Sequence, residues 1–208
     1  MANKAKQAGI FVKHKIGALI HSKNESAMRA MLAKLRRGIG KPPGSMPELW
    51  PTTLDGLPEE LSGNMGGPTR GEWAVHTALT LFALHQQGKE LKGKPMCREG
   101  ESLGSSVRRL VKSDDDEARV KRRFDVAATS DSPEEFANHL RGLIQLLKAD
   151  DIPLDYPALA EDLYLFQFPD AKDSVRLRWG RDFYRTSSKD NEYQKHADEG
   201  KDEYYEKQ

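Results

Sequence analysis

Residues 102–124 read SLGSSVRRLVKSDDDEARVKRRF, and the rest of the chain is interpreted from this stretch. It predicts two short helices meeting at an acidic break. On the first, Leu103, Val107, Leu110 and Val111 fall on one apolar stripe. On the second, Val120 and Phe124 continue into Ala127 and Ala128 at the same spacing. The basic residues lie off these stripes. Arg119, Arg122 and Arg123 share one flank of the second helix, and Arg108 and Lys112 share a flank of the first. Asp114, Asp115, Asp116 and Glu117 stand where the second helix begins, and the partial positive charge of a helix N-terminus favours carboxylates there. That accounts for the acids and leaves the arginines in need of a partner. A solvated helix face laced with local ion pairs is the plain alternative. Against it stands the recurrence of the pattern along the chain.

Upstream, residues 5–21 place Val12, Ile16, Leu19 and Ile20 on one stripe, with helix propensity lowered at Gly9 and Gly17. Ser22 and Glu25 have the spacing of a capping box for a helix carrying Met28, Met31, Leu32 and Leu35 and stopping at Gly38. Lys34, Arg36 and Arg37 occupy its last turns. Residues 40–68 hold six of the eleven prolines and six of the seventeen glycines, a punctuation that predicts no helix or strand. Leu49, Trp50, Leu54 and Leu57 suggest that part of this loop is pinned to a core. Thr69 and Glu72 then form a capping box for a helix that is apolar on nearly every side, which belongs at the centre of a bundle. Residues 88–101 read as a flexible basic loop with Lys89, Lys92, Lys94 and Arg98.

Downstream, Ser132, Pro133 and Glu135 open a helix with Phe136, Leu140, Leu143, Ile144 and Leu147 inward and Arg141 beside them. Asp155 opens another, with Tyr156, Leu159, Leu163 and Phe166 as its core face. A last helix, about 171–185, turns Val175, Trp179 and Phe183 inward and carries Arg178, Arg181 and Arg185 on a separate stripe. Residues 186–208 are charged and nearly free of aliphatic side chains, the composition of a disordered tail.

The 208 residues suffice for one good-sized core or two small lobes. Net charge is +1, and 29 basic against 25 acidic residues remain without the tail, so any polyanion site is a local patch. The lone Cys97 forms neither a disulfide framework nor a cysteine zinc site and suits a reducing, cytoplasmic setting. No apolar run approaches membrane-spanning length. No dinucleotide or phosphate-binding glycine loop and no paired-histidine metal motif occurs, and the six histidines are scattered. No catalytic residue, metal ligand or cofactor is assigned, and the chain is not expected to be an enzyme. Arginine pairs with phosphate bidentately and keeps its charge, so apolar stripes flanked by arginines point to contact with a nucleic-acid backbone without base readout.

The ordered series AKLRRG (33–38), HTALTLFALHQQGK (76–89), SLGSSVRRLV (102–111), RVKRRFD (119–125), HLRGLIQLLK (139–148), LDYPALAEDL (154–163) and RWGRDFY (178–184) resembles the CasB family, the small subunit of the type I-E CRISPR surveillance complex Cascade. The resemblance covers roughly residues 20–185, although the 40–68 loop is longer than the family pattern suggests. It implies an all-α, two-lobed helical bundle and a non-catalytic role. It also implies two copies lying against the backbone and large subunits, helping to hold the guide RNA–target DNA heteroduplex and the displaced strand. The basic positions matching the family's pattern are Arg36, Arg37, Arg108, Arg122, Arg123 and Arg141.

The expectation is therefore an all-α fold of seven to eight helices. It divides into an N-terminal lobe over 1–112, a C-terminal lobe over 113–185 and a disordered tail over 186–208. The candidate nucleic-acid-binding residues are Arg36, Arg37, Arg108, Arg109, Arg119, Arg122, Arg123 and Arg141. The alternative is a helical protein–protein adaptor whose basic flanks meet acidic surfaces.

Overall fold

The computed structural model describes residues 1–63 and 66–185. Among these there is no strand, and nine α-helices form: α1 (Ala2–Ile20), α2 (Glu25–Arg37), α3 (Trp50–Thr53), α4 (Arg70–His85), α5 (Leu103–Arg108), α6 (Asp114–Thr129), α7 (Pro133–Ala149), α8 (Tyr156–Phe166) and α9 (169–185). The helix beyond the expected eight is α3. It lies inside the proline- and glycine-rich segment, preceded by a turn of 3-10 helix at Pro47–Leu49. Pro47 and Pro51 sit in first turns, where a missing N–H costs nothing, so the prolines start these short helices instead of forbidding them. Leu49, Thr52, Thr53 and Leu61 are buried, which pins the loop. The expected disordered tail lies outside the described residues.

Local caps set most boundaries. Thr69 and Glu72 complete a reciprocal capping box on α4. Ser102, Ser113, Ser132 and Asp155 each accept a hydrogen bond from a backbone N–H in the first turn of α5, α6, α7 and α8. The cap of α2 is Asn24, which accepts from Ala27 N at 2.9 Å, and the Ser22–Glu25 box does not form. Asparagine is at least as good a cap as serine and stands one residue before the helix, so the nearer acceptor wins.

At the centre lies α4, buried on every side, with α1, α2, α7 and α8 around it. A broad contact joins α1 to α8. Gly9 sits in it: a β-carbon there would come within 2.9 Å of the Pro157 carbonyl oxygen. The residue that weakens α1 as an isolated helix is what lets α8 approach. Gly104 does the same for α5, where a β-carbon would collide with the Trp179 carbonyl oxygen of α9. Beneath α6, α7, α8 and α9 runs an aromatic cluster. Phe136 stacks on Phe166 with centroids 4.2 Å apart and on Trp179 at 5.5 Å, and Phe124 stacks on Phe183 at 5.7 Å.

The basic segment after α4 is tied down, contrary to its flexible composition. The Gln86 amide donates to the Lys94 carbonyl at 3.1 Å and accepts from Met96 N at 2.8 Å. Lys89 and Lys94 both pair with Asp151, and Leu91 and Met96 are buried. Asp151 holds a left-handed conformation (φ 58°), which aspartate tolerates better than most residues.

Candidate nucleic-acid interface

The acidic start of α6 does more than cap it. Glu117 reaches back to Arg108 of α5 at 3.2 Å, and Arg108 also lies over the Phe183 ring, leaving its side chain 14% exposed. Asp116 takes both the Ser113 hydroxyl and Arg119, and these bonds hold its carboxyl below the usual carboxylate range. Arg109 pairs with Glu101 at 3.3 Å and Arg37 with Glu48 at 3.5 Å. Four of the eight arginines named from the sequence thus have acidic partners within the chain.

The other four do not. Arg36, Arg122, Arg123 and Arg141 form no ion pair among the described residues, and all but the half-buried Arg36 are exposed. Arg122 and Arg123 line a groove of about 670 Å³ between α6 and α7, together with Arg119, Asn138, His139 and Gly142. Arg119 keeps 69% of its side chain exposed despite Asp116 and so still presents donors to the groove. Gly142 has open space where a side chain would be, which leaves the floor bare. Val120 and Phe124 hold α6 down from the opposite face, so the arginines are displayed on a fixed support.

Arg141, one turn along α7, opens onto a second depression shared with Lys41 and Arg70. Asn138 lines both, so they meet across α7. Lys41 and Arg70 were not anticipated; they come from a loop and a helix start distant in sequence and carry no periodic signal. Arg36 lies apart, in a groove between α2 and the segment after α4 with Arg29 and Lys92. The structure therefore gathers Arg119, Arg122 and Arg123, places Arg141 beside them, and separates Arg36 and Arg37.

Burial pushes the Cys97 thiol up to about 11, which keeps it protonated at neutral pH. Among the described residues no group of three or more histidine, cysteine or acidic side chains could hold a metal, and no helix is long and apolar enough to cross a membrane.

Residues 31–184 match the family model described as CRISPR-associated protein Cse2. No curated protein sequence matches. The fold is similar to that of CasB from Thermobifida fusca, with 33% identity, a TM-score of 0.71, and coverage of 85% of this chain and 97% of that one. It also resembles CasB from Thermus thermophilus (22% identity, TM-score 0.61, 85% and 97% covered). A chain of a CRISPR RNA-guided surveillance complex has the same fold at 20% identity (TM-score 0.66, 91% and 98% covered). The chain belongs to the CRISPR-associated Cse2 family, the family of the CasB proteins.

Proposed function

We propose that the chain is the non-catalytic small subunit of the type I-E CRISPR surveillance complex and that its α6–α7 groove grips nucleic-acid backbone without sequence preference. The observation that carries this is the groove itself: Arg122 and Arg123 stand exposed beside Arg119 with no acidic partner among the described residues. Membership of the Cse2 family and the shared fold with a surveillance-complex chain supply the setting.

The physical role follows from a balance. Exchanging a DNA duplex for an RNA–DNA heteroduplex is close to energetically neutral, and protein contacts to the backbone tip it. Arginines along the heteroduplex or the displaced strand shift that exchange toward the open R-loop by neutralising phosphates. The other complex subunits, the guide RNA, the target DNA and a second copy of this chain are the partners of this reading. Arg36 and Arg37 on α2, and Arg109 at the C-terminal cap of α5, lie apart from the groove and belong to the contacts with neighbouring subunits or with a more distant part of the strand.

Binding to single-stranded DNA across a salt series tests the groove. Each phosphate neutralised adds about −0.7 to the slope of log K against log salt. Arg122→Ala with Arg123→Ala should flatten that slope and weaken R-loop formation on plasmid DNA by the assembled complex, while lysine at both positions should do less harm. Unchanged R-loops in a normally assembled double-alanine complex would leave the groove a solvated face. A preference for one DNA sequence would point to a regulator instead.

A further inference from the structure

The depression beside Arg141 is built differently from the arginine groove. It has a volume of about 560 Å³, within the span of small-molecule sites, and is walled by Trp73, Pro42 and Pro43. Its floor is polar. Thr77 lies on the central helix α4, only 7% exposed, and its hydroxyl has no partner among the described residues. Beside it, His76 gives its Nε2–H to the Gly38 carbonyl at 3.0 Å, and its buried Nδ1 lies near the Lys41 backbone without a well-formed hydrogen bond. The half-buried Trp73 has no bond for its indole N–H. Polar groups at this depth normally find partners, and here the fully buried His76 Nδ1, the Thr77 hydroxyl and the half-buried Trp73 indole N–H have no well-formed hydrogen bond among the described residues.

We propose that this pocket receives one unstacked nucleobase of the strand whose phosphates meet the arginines, the base lying on Trp73 with its edge toward Thr77. The proposal rests on the nucleic-acid reading above. The rim carries Lys41, Arg70 and Arg141 against the single acid Glu134, which suits the phosphates on either side of an inserted base. Continuity with the arginine groove through Asn138 gives the strand a path. An indole stacks on any base, and a threonine hydroxyl both donates and accepts, so the pocket takes a base without choosing which.

The experiment uses the full chain and two probes: a single strand of about twelve nucleotides and an abasic strand of the same length. DNA and RNA versions of the base-bearing probe tell which strand supplies the base. The wild type should bind the base-bearing strand about tenfold more tightly than the abasic one, the lower part of the range for one base on an aromatic ring. Trp73→Ala and the isosteric Thr77→Val should each narrow that gap, and Trp73→Phe should largely keep it. Circular dichroism checks folding, and Thr77→Val carries the test if Trp73→Ala unfolds. Trp50→Ala is the control, because Trp50 is exposed but already gives its N–H to the Gly44 carbonyl at 2.8 Å. Equal binding of the two strands by the wild type, or a gap that survives both Trp73→Ala and Thr77→Val, overturns the proposal while leaving the arginine reading in place. A Trp73→Ala chain that loses its complex partners but keeps the gap would assign the pocket to a protein contact and overturn it as well. If neither strand binds the wild type at low salt, the nucleic-acid reading fails first.

Discussion

On α9, Arg178 lies against the buried carboxylate of Asp162, which also accepts from the Trp179 indole, and Arg176 donates through Nε to the Ala128 carbonyl at 2.6 Å. On α6, Arg122 and Arg123 extend into a groove and meet no acid among the described residues. Both helices carry arginines beside an apolar stripe, and in sequence the two patterns are alike. The difference lies in what faces each flank. Asp162 sits on α8 and fixes α9 to the bundle, whereas nothing on α7 answers α6. Arginines in a fold thus divide into those that fasten helices together and those left for an outside partner.

The largest expected effect falls on the fastening side. Asp162→Ala leaves Arg178 and the Trp179 indole without their acceptor, and stability should fall by about 2–4 kcal/mol, a figure reduced for the half-exposed Arg178. Thermal unfolding measures it, and a melting temperature equal to the wild type's would show that Asp162 does not anchor α9. The double substitution Arg122→Ala with Arg123→Ala should behave in the opposite way. Stability should change by less than about 1 kcal/mol, while the salt slope of single-strand binding should flatten by about 1.4, two phosphates' worth. A protein that unfolds without these arginines would erase the contrast.

A subtler effect comes from pH. Burial raises Asp162 to about 6, and Arg178 only partly offsets it. The folded state therefore binds this proton more readily than the unfolded chain, and the contribution of Asp162 declines as pH rises from about 4 to 6. His85 has the opposite sign: burial first, and Lys89 second, lower it to about 4, so its contribution is lost as pH falls from about 6.5. In Asp162→Asn the melting temperature should climb more steeply with pH over this range than in the wild type; parallel profiles would refute the assignment. The smallest effect belongs to the exposed Arg37–Glu48 pair. Arg37→Ala should cost under about 0.5 kcal/mol, and a larger loss would place Arg37 with the fasteners.

The helices were largely legible because their caps are local: Ser113, Ser132, Thr69 and Asp155 each act within three residues. The exposed flank of α6 was legible for the same reason, since spacing alone fixes which side chains share a face. Contacts between distant segments were not. The Arg108–Glu117 link crosses the α5–α6 corner, and Gln86 holds a loop through backbone groups eight and ten residues away. The pocket at Trp73 draws on α4, α7 and the 40–68 loop, so no single stretch announces it. One hint was present. Thr77 and Thr80 interrupt an otherwise apolar central helix, and a hydroxyl placed there needs a reason. The division at residue 112 remains a proposal. Separately expressed 1–112 and 113–185 segments would test it, and α8 packing on α1 and α4 predicts that neither folds alone.

The breadth of the α1–α8 contact bears on how the chain is made. Ile20 ends α1 and Tyr156 begins α8, so during synthesis α1 waits for this partner for roughly seven to twenty-seven seconds at ordinary elongation rates. For that interval the apolar face of α1, with Phe11, Val12 and Ile16, has α4 to pack on but lacks the larger cover that α8 supplies. Newly made chains are therefore sticky before they are complete. Slowing translation between these helices should lower soluble yield more than slowing it after α8.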